Sequence, residues 1–85
     1  MKIAFLSRPG CHLCDEALAD LNRYLDETGL GAEVEVLDIE QDEQLHRLYM
    51  ERIPVVMVEG EIVSELAFDS EEMNAAVRTH LPGQG

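Results

Sequence analysis

The residues best suited to chemistry in this sequence are two cysteines separated by two positions, in the stretch Cys11-His12-Leu13-Cys14. The 85-residue chain has no other cysteine, so it cannot form the long-range disulfides that cross-link small secreted domains. A pair this close together fits either a redox-active dithiol or half of a metal site.

The position of the pair predicts different roles for its two sulfurs. Cys11 is expected at or just before the first turn of a helix, where unpaired backbone N–H groups and the helix dipole favour a thiolate. The thiolate is the nucleophile, so we expect Cys11 to attack and Cys14, one turn later and facing the core, to resolve. His12, when protonated, adds positive charge beside Cys11; the alternative is an exposed residue without influence on the thiol.

Metal binding is the main alternative for the cysteine pair. Zinc usually takes four ligands, and the remaining candidates are His12, His46 and His80. His12 lies too close to the pair to complete a tetrahedral site easily, and the other two belong to different predicted helices. We therefore expect no metal held by one chain alone. An iron–sulfur cluster shared between two chains, with glutathione supplying ligands, is left open.

The elements that position the cysteines are a buried strand and an amphipathic helix. Residues 2–6, which are apolar after Lys2, form a run that ends at Ser7, as in a strand covered on both faces. Apolar residues then recur at helical spacing, and the predicted helix ends near Gly29. The residues of this helical face are Cys14, Ala17, Leu18, Leu21 and Leu25.

The rest of the chain predicts two helices and three strands. Residues 33–38 form a strand, and the acidic residues 38–42 precede a short helix that ends before Pro54. Residues 55–58 and 62–63 flank a Gly60 turn, as in a β-hairpin. Asp69, with Glu72 three positions later, resembles a capping box at the start of the last helix. The apolar residues of the two helices are Leu45, Leu48 and Tyr49, then Met73, Ala76, Val77 and Leu81.

The order β-α-β-α-β-β-α predicts an α/β fold with a four-stranded mixed sheet flanked by three helices. The first β-α-β unit requires a parallel crossover, whereas the hairpin is antiparallel. Because no linker interrupts the pattern, we predict a single domain over residues 1–82 and a flexible C-terminal tail at residues 83–85.

The composition is strongly acidic, with a formal net charge of −12. Nucleic acids and anionic membrane surfaces are therefore unsuitable partners, because both are bound through clustered Lys and Arg. The sequence shows neither a membrane-spanning run nor an export signal, so we expect a cytoplasmic protein. The acidity serves solubility or favours partners with basic surfaces. We further expect a monomer.

Several motifs together resemble the small glutaredoxin-like proteins of the thioredoxin superfamily. The resemblance covers residues 3–81 and implies a thioredoxin-like fold with a cis Ile53–Pro54 bond lying against the cysteine pair. It further implies that Ile53 offers its backbone to an extended substrate. The matching motifs are Cys11-His12-Leu13-Cys14-Asp15-Glu16-Ala17, Asp38-Ile39-Glu40, Leu45 with Tyr49, Arg52-Ile53-Pro54-Val55-Val56, and Gly60-Glu61.

The resemblance also suggests how glutathione would bind. Arg8 and Arg52 are the basic residues placed to hold the glycine carboxylate of glutathione. Asp69 matches the aspartate that contacts glutathione. The chain departs from standard glutaredoxins, which carry Cys-Pro-Tyr-Cys and a Gly-Gly pair before that aspartate. Pro54 has a simpler alternative role as a helix terminator.

These observations predict a thiol–disulfide oxidoreductase, an electron-transport enzyme that reduces protein disulfides or glutathione mixed disulfides. We expect no bound cofactor; glutathione or a thioredoxin-reductase-like flavoprotein is the expected electron donor. The alternatives are a non-enzymatic thioredoxin-like adaptor or redox sensor that docks a partner protein, and a metal or iron–sulfur carrier.

Overall fold

The predicted order of elements is found over residues 1–80, the part of the chain that the computed structural model describes. The predicted end of the domain at residue 82 and the predicted tail at residues 83–85 lie outside the described residues. The strands are Lys2–Ser7 (β1), Glu33–Asp38 (β2), Val55–Val58 (β3) and Glu61–Glu65 (β4). The helices are His12–Thr28 (α1), Glu43–Tyr49 (α2) and Ser70–His80 (α3), with a 3₁₀ turn at Ile39–Gln41.

The four strands form one mixed sheet in the order β2-β1-β3-β4. β1 pairs in parallel with β2 and antiparallel with β3, which in turn pairs antiparallel with β4. This arrangement confirms the predicted mixed sheet. Because β1 and β3 lie at its centre, most of their apolar side chains are buried, as the apolar run at the start of the chain predicts.

The hairpin between β3 and β4 is closed by the two residues Glu59 and Gly60. Both have positive φ angles, 51° and 87°, as a two-residue turn of type I′ requires. Glycine adopts this conformation without a steric cost at the second position. The pairing of β3 with β4 is irregular at one point, because the register shifts between Val56 and Met57.

Helix α1 places its apolar face on the core and its acidic face in solvent. Cys14, Ala17 and Leu21 are buried, at the spacing predicted for one face of a helix. The helix ends at Gly29, which caps it in the left-handed region with φ 67°. Tyr24 joins α1 to α3, because its hydroxyl donates a hydrogen bond to the Asn74 side-chain oxygen.

The short helix α2 differs from prediction at one apolar residue. Leu45 and Tyr49 pack against the core, but Leu48, predicted with them, is 56% exposed. A helix of two turns presents only a narrow strip to the sheet, so a third apolar residue points away from it. The helix begins at its predicted acidic corner, where the Asp42 side chain accepts hydrogen bonds from the N–H groups of Gln44 and Leu45.

The hydrophobic core lies between the sheet and the helices. No helix within residues 1–80 is long and apolar enough to cross a bilayer. The buried apolar residues are Ile3, Phe5, Leu6, Cys14, Ala17, Leu21, Ile39, Ile53, Val55, Val56, Val58 and Met73.

Candidate active site

The candidate site lies at the edge of the sheet where β1 ends. Leu6, next to the end of β1, pairs with Val55, the first residue of β3, which pairs in turn with Glu65, the last residue of β4. The loops that follow β1, precede β3 and follow β4 therefore meet at this edge. The register thus brings the loops that carry the predicted site residues, although far apart in sequence, to one end of the sheet.

Cys11 caps the N-terminus of α1. Its backbone is extended, with φ −94° and ψ 106°, and its sulfur accepts a hydrogen bond from the N–H of Cys14 at 3.1 Å. Its carbonyl accepts the first helical hydrogen bond, from the N–H of Asp15 at 3.1 Å. A sulfur in the N-cap position meets the backbone donors that the helix leaves unpaired, as the sequence predicts.

The two cysteines are joined as a disulfide and differ in exposure. Their Cα atoms are 5.2 Å apart. Cys14 is only 3% exposed and belongs to the core, whereas Cys11 is half-buried at its margin. An incoming group can therefore reach the sulfur of Cys11 more readily than that of Cys14.

The basic residues near the site differ in their surroundings. Arg8 is exposed, and the described part of the chain places no carboxylate within 4.0 Å of its guanidinium. Arg52 forms an ion pair with Glu65 and lies over the ring of Tyr49, 5.0 Å from its centroid. The hydrogen bond between Arg52 and Glu65 raises the pKa of the arginine and lowers that of the glutamate. Glu65 therefore offsets the charge that Arg52 brings to the site.

Ile53 and Pro54 are both buried, and the peptide bond between them is cis. The N–H of Ile53 donates to the carbonyl of Tyr49 at 3.1 Å. The carbonyl of Pro54 accepts from the N–H of Leu66 at 2.8 Å, and that of Arg52 accepts from the same N–H at 3.1 Å. The loop before β3 is thereby fixed to the loop after β4.

Residues 2–78 match the family model described as Glutaredoxin-like domain (DUF836). The chain belongs to this family. The match spans nearly all the described residues and includes every residue of the candidate site.

Solved structures resemble this glutaredoxin-like domain over most of its length. Protein Ne2328 from Nitrosomonas europaea is 34% identical, with a TM-score of 0.76 over 88% of each chain. Target protein XcR50 from X. campestris is 25% identical, with a TM-score of 0.68 over 93% of this chain and 99% of its own. Thioredoxin 1 from Thermosipho africanus TCF52B shares 19% identity at a TM-score of 0.59, covers 93% of both chains, and confirms the thioredoxin-like fold. No curated protein matched the chain.

The remaining predicted site residues have local roles in this glutaredoxin-like domain. The Asp69 side chain accepts hydrogen bonds from the N–H groups of Glu71 and Glu72, at 3.0 and 3.1 Å, so it caps α3. His12 is the first residue of α1 and is exposed. The structure thus places both at helix N-termini, where the sequence predicts them.

The described residues contain no group of three His, Cys, Asp or Glu side chains arranged to hold a metal. His46 lies in α2, and His80 at the end of α3 is 3.9 Å from the carboxylate of Glu61. His46 and His80 therefore lie on different elements from the cysteine pair, whereas His12 lies within it.

The sequence did not predict the structural features of two residues at this edge of the sheet. The sequence does not indicate that Glu65 pairs with Arg52, because the two residues are 13 positions apart with a hairpin between them. Leu66 has a positive φ of 69° and is 54% exposed. Leucine rarely adopts this conformation, so the residue type itself argues against it.

Proposed function

We propose that this glutaredoxin-like protein is a thiol–disulfide oxidoreductase that reduces protein disulfides or glutathione mixed disulfides. The observation that carries the proposal is the contrast within the cysteine pair. Cys11 is half-buried at the N-terminus of a helix with a backbone N–H on its sulfur, and Cys14 is buried behind it. Family membership and this pair support a redox role, and the contrast suits a nucleophile and a resolving thiol.

The first step is attack on the substrate disulfide. In the reduced protein, the Cys11 thiolate forms a bond to one substrate sulfur, and the substrate S–S bond breaks. The other sulfur leaves as a thiolate and takes a proton from solvent. The product is a mixed disulfide between Cys11 and the substrate. The N–H of Cys14 and the helix dipole stabilise the negative charge on Cys11 before the attack.

The second step returns the substrate as a thiol. Cys14 loses its proton to solvent and attacks the sulfur of Cys11, which expels the remaining substrate thiolate and closes the Cys11–Cys14 disulfide. Two electrons have then passed from the protein to the substrate. Two glutathione molecules, oxidised to one disulfide, or a flavoprotein reductase would return the dithiol.

The substrate would be positioned by the loop before β3. The carbonyl of Ile53 is the backbone group offered to an extended chain, because its N–H already donates to Tyr49. For glutathione, Arg8 is the cation best placed to meet a carboxylate, since Arg52 is paired with Glu65. The free carboxylate oxygen of Asp69 would accept from the amino group of the same ligand.

The test is disulfide reduction by the purified protein. The parent and the variants Cys11→Ser and Cys14→Ser are compared with hydroxyethyl disulfide and with insulin as substrates, with glutathione as donor. We expect Cys11→Ser to abolish both activities. Cys14→Ser should abolish insulin reduction and accumulate a mixed disulfide that mass spectrometry detects. A reduced parent that leaves both substrates unchanged would favour the adaptor or sensor role.

A further inference from the structure

Two exposed leucines line a shallow cavity at the active-site edge. Leu13, on the first turn of α1, is 55% exposed, and Leu66, just after β4, is 54% exposed. The other walls include the acidic residues Glu16 and Asp20 and the ring of Phe68. Leu13 lies two residues beyond Cys11, and Leu66 donates its N–H to the Pro54 carbonyl. The cavity is therefore lined by the first turn of the helix that Cys11 caps and by a residue hydrogen-bonded to the loop expected to hold the substrate backbone.

The conformation of Leu66 has a steric cost that its exposed position does not explain. Its φ of 69° lies in the left-handed region, where a bulky side chain is an outlier. Its N–H is fixed by two carbonyls, those of Arg52 and Pro54. Glycine would adopt this backbone without strain, yet the chain carries a large apolar side chain that points into solvent. Such outliers concentrate at sites of binding, where the strained residue has a function.

The charges around the leucines are negative. The Glu16 side chain has no basic partner within 4.0 Å among the described residues, whereas Asp20 pairs with Arg23 at 3.1 Å. Beyond Asp20 and Phe68, the surface continues as a groove that includes Glu27 and the Asp20 partner Arg23. The whole chain carries a net charge of −12. A partner that covers this surface must therefore bring apolar and basic groups together.

We propose that this cavity binds the segment of a client protein that flanks its reactive cysteine, with an apolar side chain between Leu13 and Leu66 and a basic side chain against Glu16. This inference rests on the proposed oxidoreductase function and specifies its substrate. Glutathione has no apolar side chain and is an anion, so it gains nothing from these contacts. Small disulfides still react, because exchange needs only Cys11 and Cys14.

The test uses four short peptides that differ only in the neighbours of a single cysteine. The neighbours are Leu with Lys, Leu with Glu, Ser with Lys, or Ser with Glu. Each cysteine carries 2-nitro-5-thiobenzoate as a mixed disulfide, whose release is followed by absorbance. The mixed disulfide of mercaptoethanol with the same chromophore is the reference substrate. We expect leucine to raise the rate about tenfold over serine, because burial removes its apolar surface from water. Lysine should raise the rate about threefold over glutamate at low salt.

Matched variants assign the two preferences to their residues. Leu66→Gly should keep the melting temperature or raise it, because glycine accepts the backbone, and should remove most of the preference for leucine. Leu48→Ala is the control, since Leu48 is equally exposed on α2 outside the cavity. Glu16→Gln should remove the preference for lysine, whereas Glu43→Gln on α2 should keep it.

The reference substrate tests the proposed oxidoreductase function separately from the docking inference. If the parent does not react with the mercaptoethanol compound, the proposed oxidoreductase function fails. If it reacts with that compound and reduces all four peptides at equal rates, the function stands and the docking inference is overturned. A preference for leucine that survives Leu66→Gly would equally contradict the assigned surface.

Discussion

The two sulfurs of the cysteine pair stand in different surroundings although only two residues separate them. Cys11 lies in the N-cap position, and its sulfur accepts a hydrogen bond from the N–H of Cys14. Cys14 itself is buried among core side chains. Hydrogen bonding and the helix dipole favour a charged sulfur, whereas burial in apolar surroundings disfavours one. The local environment therefore makes Cys11 the more reactive of the two thiols.

We predict that iodoacetamide labels Cys11 before Cys14 in the reduced protein, and at a pH below that needed for an ordinary thiol. The reason is that alkylation requires a thiolate that is accessible to the reagent. Peptide mapping by mass spectrometry after short exposures measures the order of labelling, and free glutathione in the same solution is the reference thiol. Faster labelling of Cys14 would reverse the assignment of the two roles.

The ion pair of Arg52 and Glu65 gives stability a specific dependence on pH. The hydrogen bond from Arg52 lowers the pKa of Glu65 in the folded protein, below the ordinary value of about 4.3. The contribution of the pair is therefore complete above that ordinary value and is lost as the pH falls through the lowered one. Because both side chains are partly exposed, the contribution is small.

We predict that Glu65→Gln lowers the melting temperature slightly at pH 7, and that this difference shrinks as the pH falls through the lowered pKa of Glu65. Thermal denaturation followed by circular dichroism at a series of pH values measures the difference from the parent. Glu35→Gln, an exposed change on β2, is the control and should show no such convergence. A difference that grows as the pH falls would contradict the assigned ion pair.

Among the elements, helix α3 is capped by Asp69, a residue for which two roles are considered. Asp69 caps the helix through hydrogen bonds to two backbone N–H groups, and it also matches the aspartate expected to contact glutathione. The first role needs only a side-chain oxygen, whereas the second needs the negative charge as well. Two substitutions can therefore separate them.

We predict that Asp69→Ala reduces the free energy of unfolding by about 1 kcal/mol, because the cap is lost. Asp69→Asn should retain nearly all the stability, since asparagine is an equally good cap. If Asp69 also binds glutathione, Asp69→Asn should raise the KM for glutathione mixed disulfides without changing the KM for insulin. Chemical denaturation and steady-state kinetics measure the two effects. An Asp69→Asn variant that matches the parent for both substrates leaves Asp69 as a cap alone.

Much of the element pattern could be predicted from the sequence because local signals determine it. The apolar run of β1, the helical spacing of Cys14, Ala17 and Leu21, and the Gly60 turn each report on neighbouring residues. The position of the cysteine pair could be predicted for the same reason, because a pair between a strand and a helix must lie at the end of both.

The features that escaped prediction arise from pairing between distant segments. The ion pair of Arg52 with Glu65 depends on the register of β3 and β4, which no residue type specifies by itself. The exposure of Leu48 depends on how much of the sheet α2 covers. The left-handed Leu66 contradicts its own propensity, so only the structure could reveal it.

Across the whole molecule, the net charge of −12 opposes the local charge of Arg8 in the loop before Cys11. Arg8 has no carboxylate within 4.0 Å among the described residues, and His12 is exposed beside the sulfur. Acidic side chains dominate the remaining surface, so the long-range field around the protein is negative. A charged substrate meets the field of the whole molecule first and the Arg8 guanidinium only on contact.

We predict that the salt dependence of the exchange rate has opposite signs for substrates of opposite charge. At low ionic strength, the cationic disulfide cystamine should react several-fold faster than at high ionic strength, and anionic oxidised glutathione several-fold slower, because salt screens the negative field. Neutral hydroxyethyl disulfide is the control and should react at a constant rate. Stopped-flow measurements on the reduced protein at a range of sodium chloride concentrations give the slopes. If oxidised glutathione reacts faster at low salt and Arg8→Ser removes that gain, the local cation outweighs the net charge of the molecule.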